Sequence, residues 1–352
     1  MIDRDALTEV IADSFSTLIE RQHGQDGVAA LKHLLAALKR LYAELEPATY
    51  RFPIIVFAPL QDADRPLDQA TAVVITDLTL VRTEAQGPLA VHALQDGRFL
   101  VWKHTTPDVA QLSGTSVVYS YTNGTESFVA KGLSRVVRKV DTSARSAFAI
   151  PTFSSLEDAL NAYGVEMARK SSCKILEDIW YDDRRIFLKS AQEWRMRDSL
   201  RQFLVSRLRP HAEVREEQNV DASHPVDIKI TWVFARRIAL IEIKWLGHSK
   251  HTGPRARRGK IAKRYYDARA REGAQQLADY LDSNATKAPT HTTMGYLAVF
   301  DARRRGLKQS TRSLSQAEGL YYSTKDIQYN PRFDSVRDDF ASPVRFFIEP
   351  RV

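Results

Sequence analysis

The sequence has a single cysteine, Cys173, among its 352 residues. That excludes an intramolecular disulfide framework and fits a reducing compartment. No uninterrupted apolar run approaches the ~18 residues of a membrane span, so no membrane partner is expected. The opening MIDRDALTEV is acidic rather than basic, with no apolar core or cleavage site after it. This argues against a signal peptide and makes the cytoplasm the expected location. No G-x-S-x-G elbow is present and Cys173 has no catalytic neighbour in the chain, so serine or cysteine hydrolysis is not expected. His211, His224 and His248 lack the cysteine partners or H-x-x-x-H spacing of a zinc site. The stretch from Gly253 to Gly259-Lys260 is one residue too long for a P-loop, and Ile261 stands where a Ser or Thr would hold Mg²⁺. There is no fixed-period repeat or low-complexity tract.

What is present fits two globular domains rather than one core. Apolar content is 43% and charged content 27%, ordinary for a folded chain. Charge is divided unevenly. Residues 1–150 carry 15 Lys+Arg against 17 Asp+Glu, and the remainder carries 36 against 26. Nearly all the basic excess therefore lies in the second part, as suits a polyanionic partner such as nucleic acid.

Apolar periodicity predicts helix over residues 4–45, broken near Gly24 and Gly27 and stopped by Pro47. Strand-like runs follow at 51–60, 71–81, 89–94 and 98–104. Two more flank Asn123-Gly124, a dipeptide that accepts the positive φ of a tight hairpin. Residues 1–150 thus read as an α+β domain with a largely antiparallel sheet. His92 and His104, set among apolar strand residues, read as structural. Residues 151–185 read as a helical connector. From 186 to 352 the predicted order is an amphipathic helix (187–208), three antiparallel strands, a helix (268–284) and an apolar strand, the order of an α/β sandwich.

Two of those strands carry charge where apolar residues are the rule. In HPVDIKITW, Val226, Ile228, Ile230 and Trp232 share one face and Asp227 takes the other. In ALIEIKW, Ala239, Ile241, Ile243 and Trp245 share a face, and Glu242 and Lys244 lie together opposite. Charges inside an apolar strand are costly unless paired or bound to a cation. Asp227, Glu242 and the Ile243 carbonyl offer the oxygen ligands that Mg²⁺, or Mn²⁺, prefers, and Lys244 is placed to orient water or offset charge on a phosphate.

The spacing Pro225-Val226-Asp227, fourteen residues, Glu242-Ile243-Lys244 resembles the PD-(D/E)XK phosphodiesterase superfamily of restriction-endonuclease-like nucleases. Glu193 on the preceding helix and Gln276-Leu277-Ala278-Asp279-Tyr280 on the following one match two further features of that family, and GYLAVFDAR (295–303) resembles the strand after that helix. The likeness spans residues 187–303 and departs at the motif proline, which falls one position early. It implies an α/β/α core with a mixed sheet and metal-dependent hydrolysis of nucleic acid, DNA being the expected polymer. Glu193 and Gln276 would support the site. By analogy it also points to a restriction or anti-phage defence setting, and to a homodimer or a partner protein held through the N-terminal domain.

Between motif and helix, Lys250, Arg255, Arg257, Arg258, Lys260, Lys263 and Arg264 form a basic stretch with Tyr265 and Tyr266 at its end. Placed beside a metal site, it would neutralise phosphates without reading sequence. Two rival readings stand beside the nuclease. One is a non-catalytic basic DNA-binding module in which Asp227, Glu242 and Lys244 are a structural ion-pair cluster. The other is an interaction protein whose N-terminal domain is the working part.

Overall fold

The computed structural model describes all residues except 1–3, 48–49, 51, 62–66, 82–84, 86, 139–145, 151, 210, 220–224, 233–234, 254–257 and 352. The chain divides into two compact units, Met1–Ser154 and Ser155–Val352. Each is mixed α/β and holds a mixed sheet. Among the described residues no helix is long and apolar enough to cross a membrane.

The first unit opens with α1 (Arg4–Glu44), which bends at Gly24, φ 65° and ψ −156°. Glycine reaches that conformation without the penalty a Cβ brings. Seven strands follow: β1 (Ile54–Pro59), β2 (Val73–Ile75), β3 (Leu89–Ala93), β4 (Phe99–Lys103), β5 (Ser116–Thr122), β6 (Thr125–Ala130) and β7 (Leu133–Val136), with α2 (Val109–Leu112) between β4 and β5. They lie in the order β2-β4-β3-β1-β5-β6-β7. Only the β1–β3 pair is parallel, so the sheet is mixed rather than wholly antiparallel. Successive residues of β1 serve opposite faces. Ile54, Val56 and Ala58 join Leu34, Leu38 and Leu41 of α1 in one core, while Ile55 and Phe57 join Trp102 and Val118 in a second. Asn123 and Gly124 both take positive φ, 51° and 75°, so the hairpin has the turn its sequence predicts. The run 71–81 is strand only over Val73–Ile75 and turns into a 3₁₀ segment at Leu78–Leu80. Glu126 is fully buried but satisfied, accepting hydrogen bonds from Tyr119 Oη, Ser146 Oγ and the Ala147 amide at 2.6, 2.6 and 2.7 Å.

Across the division lie α3 (Phe153–Tyr163), one π-helical turn (Gly164–Ala168) and α4 (Lys174–Glu177), so the helical stretch expected here is interrupted. These residues are no free connector. Tyr163 packs against Phe203, Phe300 and Phe346 and donates its hydroxyl to Ser199 Oγ at 2.9 Å. Then come β8 (Leu188–Lys189), α5 (Glu193–Leu208), β9 (Glu213–Asn219), β10 (Pro225–Trp232), β11 (Arg237–Lys250), β12 (Ile261–Tyr265), α6 (Asp267–Lys287), β13 (Thr292–Ala302) and β14 (Val344–Phe347). The helix expected over 187–208 starts only at Glu193, because Leu188–Lys189 pairs with the end of β11.

The sheet runs β14-β13-β11-β10-β9, with β12 and β8 also on β11. β11 is parallel to β13 and antiparallel to β10. All 14 positions of β11 are buried. On one face Leu240, Leu246, Leu297 and Val299 pack against Ala270, Ala274, Leu277 and Leu281 of α6. Phe300, alternating away from them, meets Tyr163 on the other.

Candidate active site

β10 and β11 pair from Trp232–Arg237 up to Ile228–Ile241. Continuing that register by one residue sets Asp227 opposite Glu242. At that point the ladder changes character: Asp227 Oδ2, rather than a backbone carbonyl, accepts the Ile243 amide at 2.8 Å. Asp227 Oδ1 lies 3.7 Å from Arg197 Nη1, one helical turn after Glu193 on α5. Glu242 and Lys244 are each only 3% exposed. Lys244 Nζ donates to Glu242 Oε1. The other oxygen, Glu242 Oε2, is buried and has no hydrogen-bond partner. A buried carboxylate oxygen without a donor is costly, and folded proteins seldom keep one without a use.

Lys244 is held from the α6 side by a glycine. A Cβ on Gly273 would lie 2.5 Å from Lys244 Cγ, so the helix comes this close to the strand only because residue 273 has no side chain. Gln276, one turn further along α6, is half-buried, and its Oε1 is buried without a partner. Glu193, at the first turn of α5, is a third exposed and pairs with Arg269 of α6 at 3.6 Å. It belongs to the site's field rather than to the apolar core: its charge raises the pKa of both Asp227 and Glu242. Arg197 and Arg269 are the charged neighbours that sequence reading passed over. An arginine one turn from a glutamate on a helix is commonplace, and only the strand at Asp227 gives Arg197 its place.

Burial dominates the electrostatics. It pushes the Asp227 carboxyl up to about 6 against the Ile243 amide and the Lys244 charge, which pull it down. Burial and the Asp227 charge push Glu242 up to about 7, with Lys244 again opposing. Two acids, Lys244 and Arg197 thus share a space in which burial outweighs the pairing of opposite charges.

Among the described residues no three His, Cys, Asp or Glu side chains converge closely enough to hold a metal by themselves. The donors present still fit a hard cation that keeps most of its own water. Asp227 and Glu242 are carboxylates on facing strand positions, Glu242 Oε2 is unclaimed, and the Ile243 carbonyl is the next one along the chain after Glu242.

The basic stretch divides. Arg258, Lys260, Lys263 and Arg264 are exposed, the last two on β12, a strand to which the sequence assigns no secondary structure. Arg255 and Arg257 lie outside the described residues. Lys250 does not join this surface: it is 8% exposed, with its ammonium 3.7 Å from the centre of the Phe187 ring and 5.4 Å from that of Tyr181. The end of β11 is covered by β8, which turns Lys250 inward.

Compared with family models, curated proteins and solved structures, the chain matches none.

Proposed function

We propose that the second unit is a divalent-metal-dependent nuclease that hydrolyses phosphodiester bonds in DNA. The observation that carries this reading is a part-buried Asp227 facing a buried Glu242, with a lysine at hand and one carboxylate oxygen left without a donor. Asp227, Glu242 and the Ile243 carbonyl would hold the cation, Mg²⁺ or Mn²⁺. A bound cation there acidifies water and neutralises charge on phosphate. Lys244 exchanges its hydrogen bond to Glu242 for one to water or a phosphate oxygen, stabilising charge as it develops. Gln276 Oε1 is an unused acceptor suited to orienting that water. Glu193 and Arg269 set the field at the rim. Exposed Arg258, Lys260, Lys263 and Arg264 supply phosphate contacts that position the polymer without reading it. The first unit then serves recognition, regulation or assembly, through a second copy or a partner protein, and a defence or restriction setting suits an enzyme that must be restrained.

The test is incubation of the purified full chain with plasmid, linear and single-stranded DNA, in Mg²⁺, Mn²⁺ or chelator. Cleavage should need the cation and fall by roughly 100-fold or more in Asp227→Ala and Lys244→Ala, with binding retained. The direct Lys244–Glu242 contact favours a second reading, a non-catalytic basic DNA-binding module with a structural ion pair. Under that reading, trace cleavage is unchanged by either substitution.

A further inference from the structure

Among the described residues of the second unit, the exposed aromatic side chains are Trp194 and Tyr266, 51% and 48% exposed. Each lies on a segment that borders the same site. Trp194 follows Glu193, and Glu193 reaches Arg269 at 3.6 Å. The Arg269 amide donates to the Tyr266 carbonyl at 2.9 Å. One arginine therefore ties the chain beside one ring to the chain beside the other, and its partner Glu193 lies close enough for its charge to act on Asp227 and Glu242.

Neither ring is loose. The Arg195 guanidinium lies 4.6 Å from the centre of Trp194 and is itself 3.7 Å from Asp178. Tyr266 Oη is hydrogen-bonded to His248 Nε2 at 2.7 Å, and the two rings meet edge to face at 89°. Exposed aromatics held in place by polar contacts expose apolar surface yet have little ordering cost left to meet on binding. Lys263 and Arg264 adjoin Tyr266 and are exposed, so phosphate-neutralising charge lies next to the ring.

We infer that Trp194 and Tyr266 are stacking platforms for unpaired bases, so that the polymer reaching the site is single-stranded or locally melted DNA. This rests on the nuclease reading and names its substrate class. Bases in a duplex are stacked on their neighbours and cannot lie flat on a protein ring, whereas every unpaired base offers a π-face whatever its identity.

The experiment measures binding of the full chain, in chelator, to three fluorescent probes: an oligothymidine of about 12 nucleotides, an abasic strand of equal length, and the matching duplex. Trp194→Ala and Tyr266→Ala should each weaken oligothymidine binding roughly 5- to 100-fold and move the abasic and duplex probes less than about 2-fold. Trp194→Phe and Tyr266→Phe, which keep a ring, should restore most of the loss. Abasic binding as tight as oligothymidine, or equal loss on all three probes, overturns the inference. Cleavage of duplex in Mg²⁺ that is sensitive to Asp227→Ala, with no base-dependent binding, also overturns it and leaves the nuclease intact. Failure to cut any substrate would instead remove the nuclease reading.

Discussion

Glu242 has one oxygen against Lys244 and the other against nothing, while Asp227 gives its own to a backbone amide and an arginine. Their raised pKa values have a consequence for stability whose sign is fixed. The folded chain holds protons on these groups from the ordinary carboxylate range up to about 6 and 7, where the unfolded chain has released them. Raising the pH through that window therefore destabilises the fold. Asp227→Asn should be more stable than the native chain near pH 8, by about 1–3 kcal/mol, and the gain should vanish below about pH 3, where Asp227 is protonated in the folded and unfolded chain alike. Thermal melts across pH would check this. Asp227, Glu242 and Lys244, the residues of the candidate site, stand out in the sequence because strand alternation isolates charge on an otherwise apolar ribbon. Arg197 and Arg269 were not, since their roles depend on which strand and helix face them.

At the scale of elements, the approach of α6 to β11 decides where Lys244 points. Glycine in mid-helix costs about 1 kcal/mol relative to alanine, so Gly273 is kept against local propensity. Gly273→Ala should return that amount and lose roughly 1–3 kcal/mol by overpacking against Lys244 Cγ and Leu297 Cδ1. The expected result is a melting point little changed or lower, with cleavage reduced several-fold, measured on the same preparation. Sequence periodicity found α6, β10, β11 and β13. It missed β12, because Ile261-Ala-Lys-Arg-Tyr265 has no apolar alternation to reveal it; its backbone is organised instead by pairing Gly247–Tyr265 and His248–Arg264 with β11. It also carried the helix at 187–208 too far upstream, since Leu188 owes its strand conformation to a partner some sixty residues away.

At the scale of the molecule, the division falls at Ser154/Ser155, close to residue 150 where the sequence ends its first domain, and residues 155–185 belong to the second unit. Tyr163, Leu176, Ile179 and Phe187 are all buried, and Tyr163 reaches the sheet at Phe300. A fragment of residues 155–352 should therefore fold and keep any cation-dependent cleavage, whereas 186–352 should expose that core and aggregate or fail to melt cooperatively. Circular dichroism melts of the two fragments separate these outcomes. The composition of a helical connector looks alike whether it spans solvent or packs inward, so the packing of residues 155–185 within the second unit was not readable from residue types.

β11 takes backbone partners from β10, β13, β12 and β8 along its length and is covered on both faces. Its amides from Ile241 to Trp245 should be among the last in the chain to trade hydrogen for deuterium, doing so only when the entire unit opens. An apparatus fastened to so slow a strand has no softer mode by which to fail. Heating should abolish turnover at the same temperature at which the unit unravels, and not before.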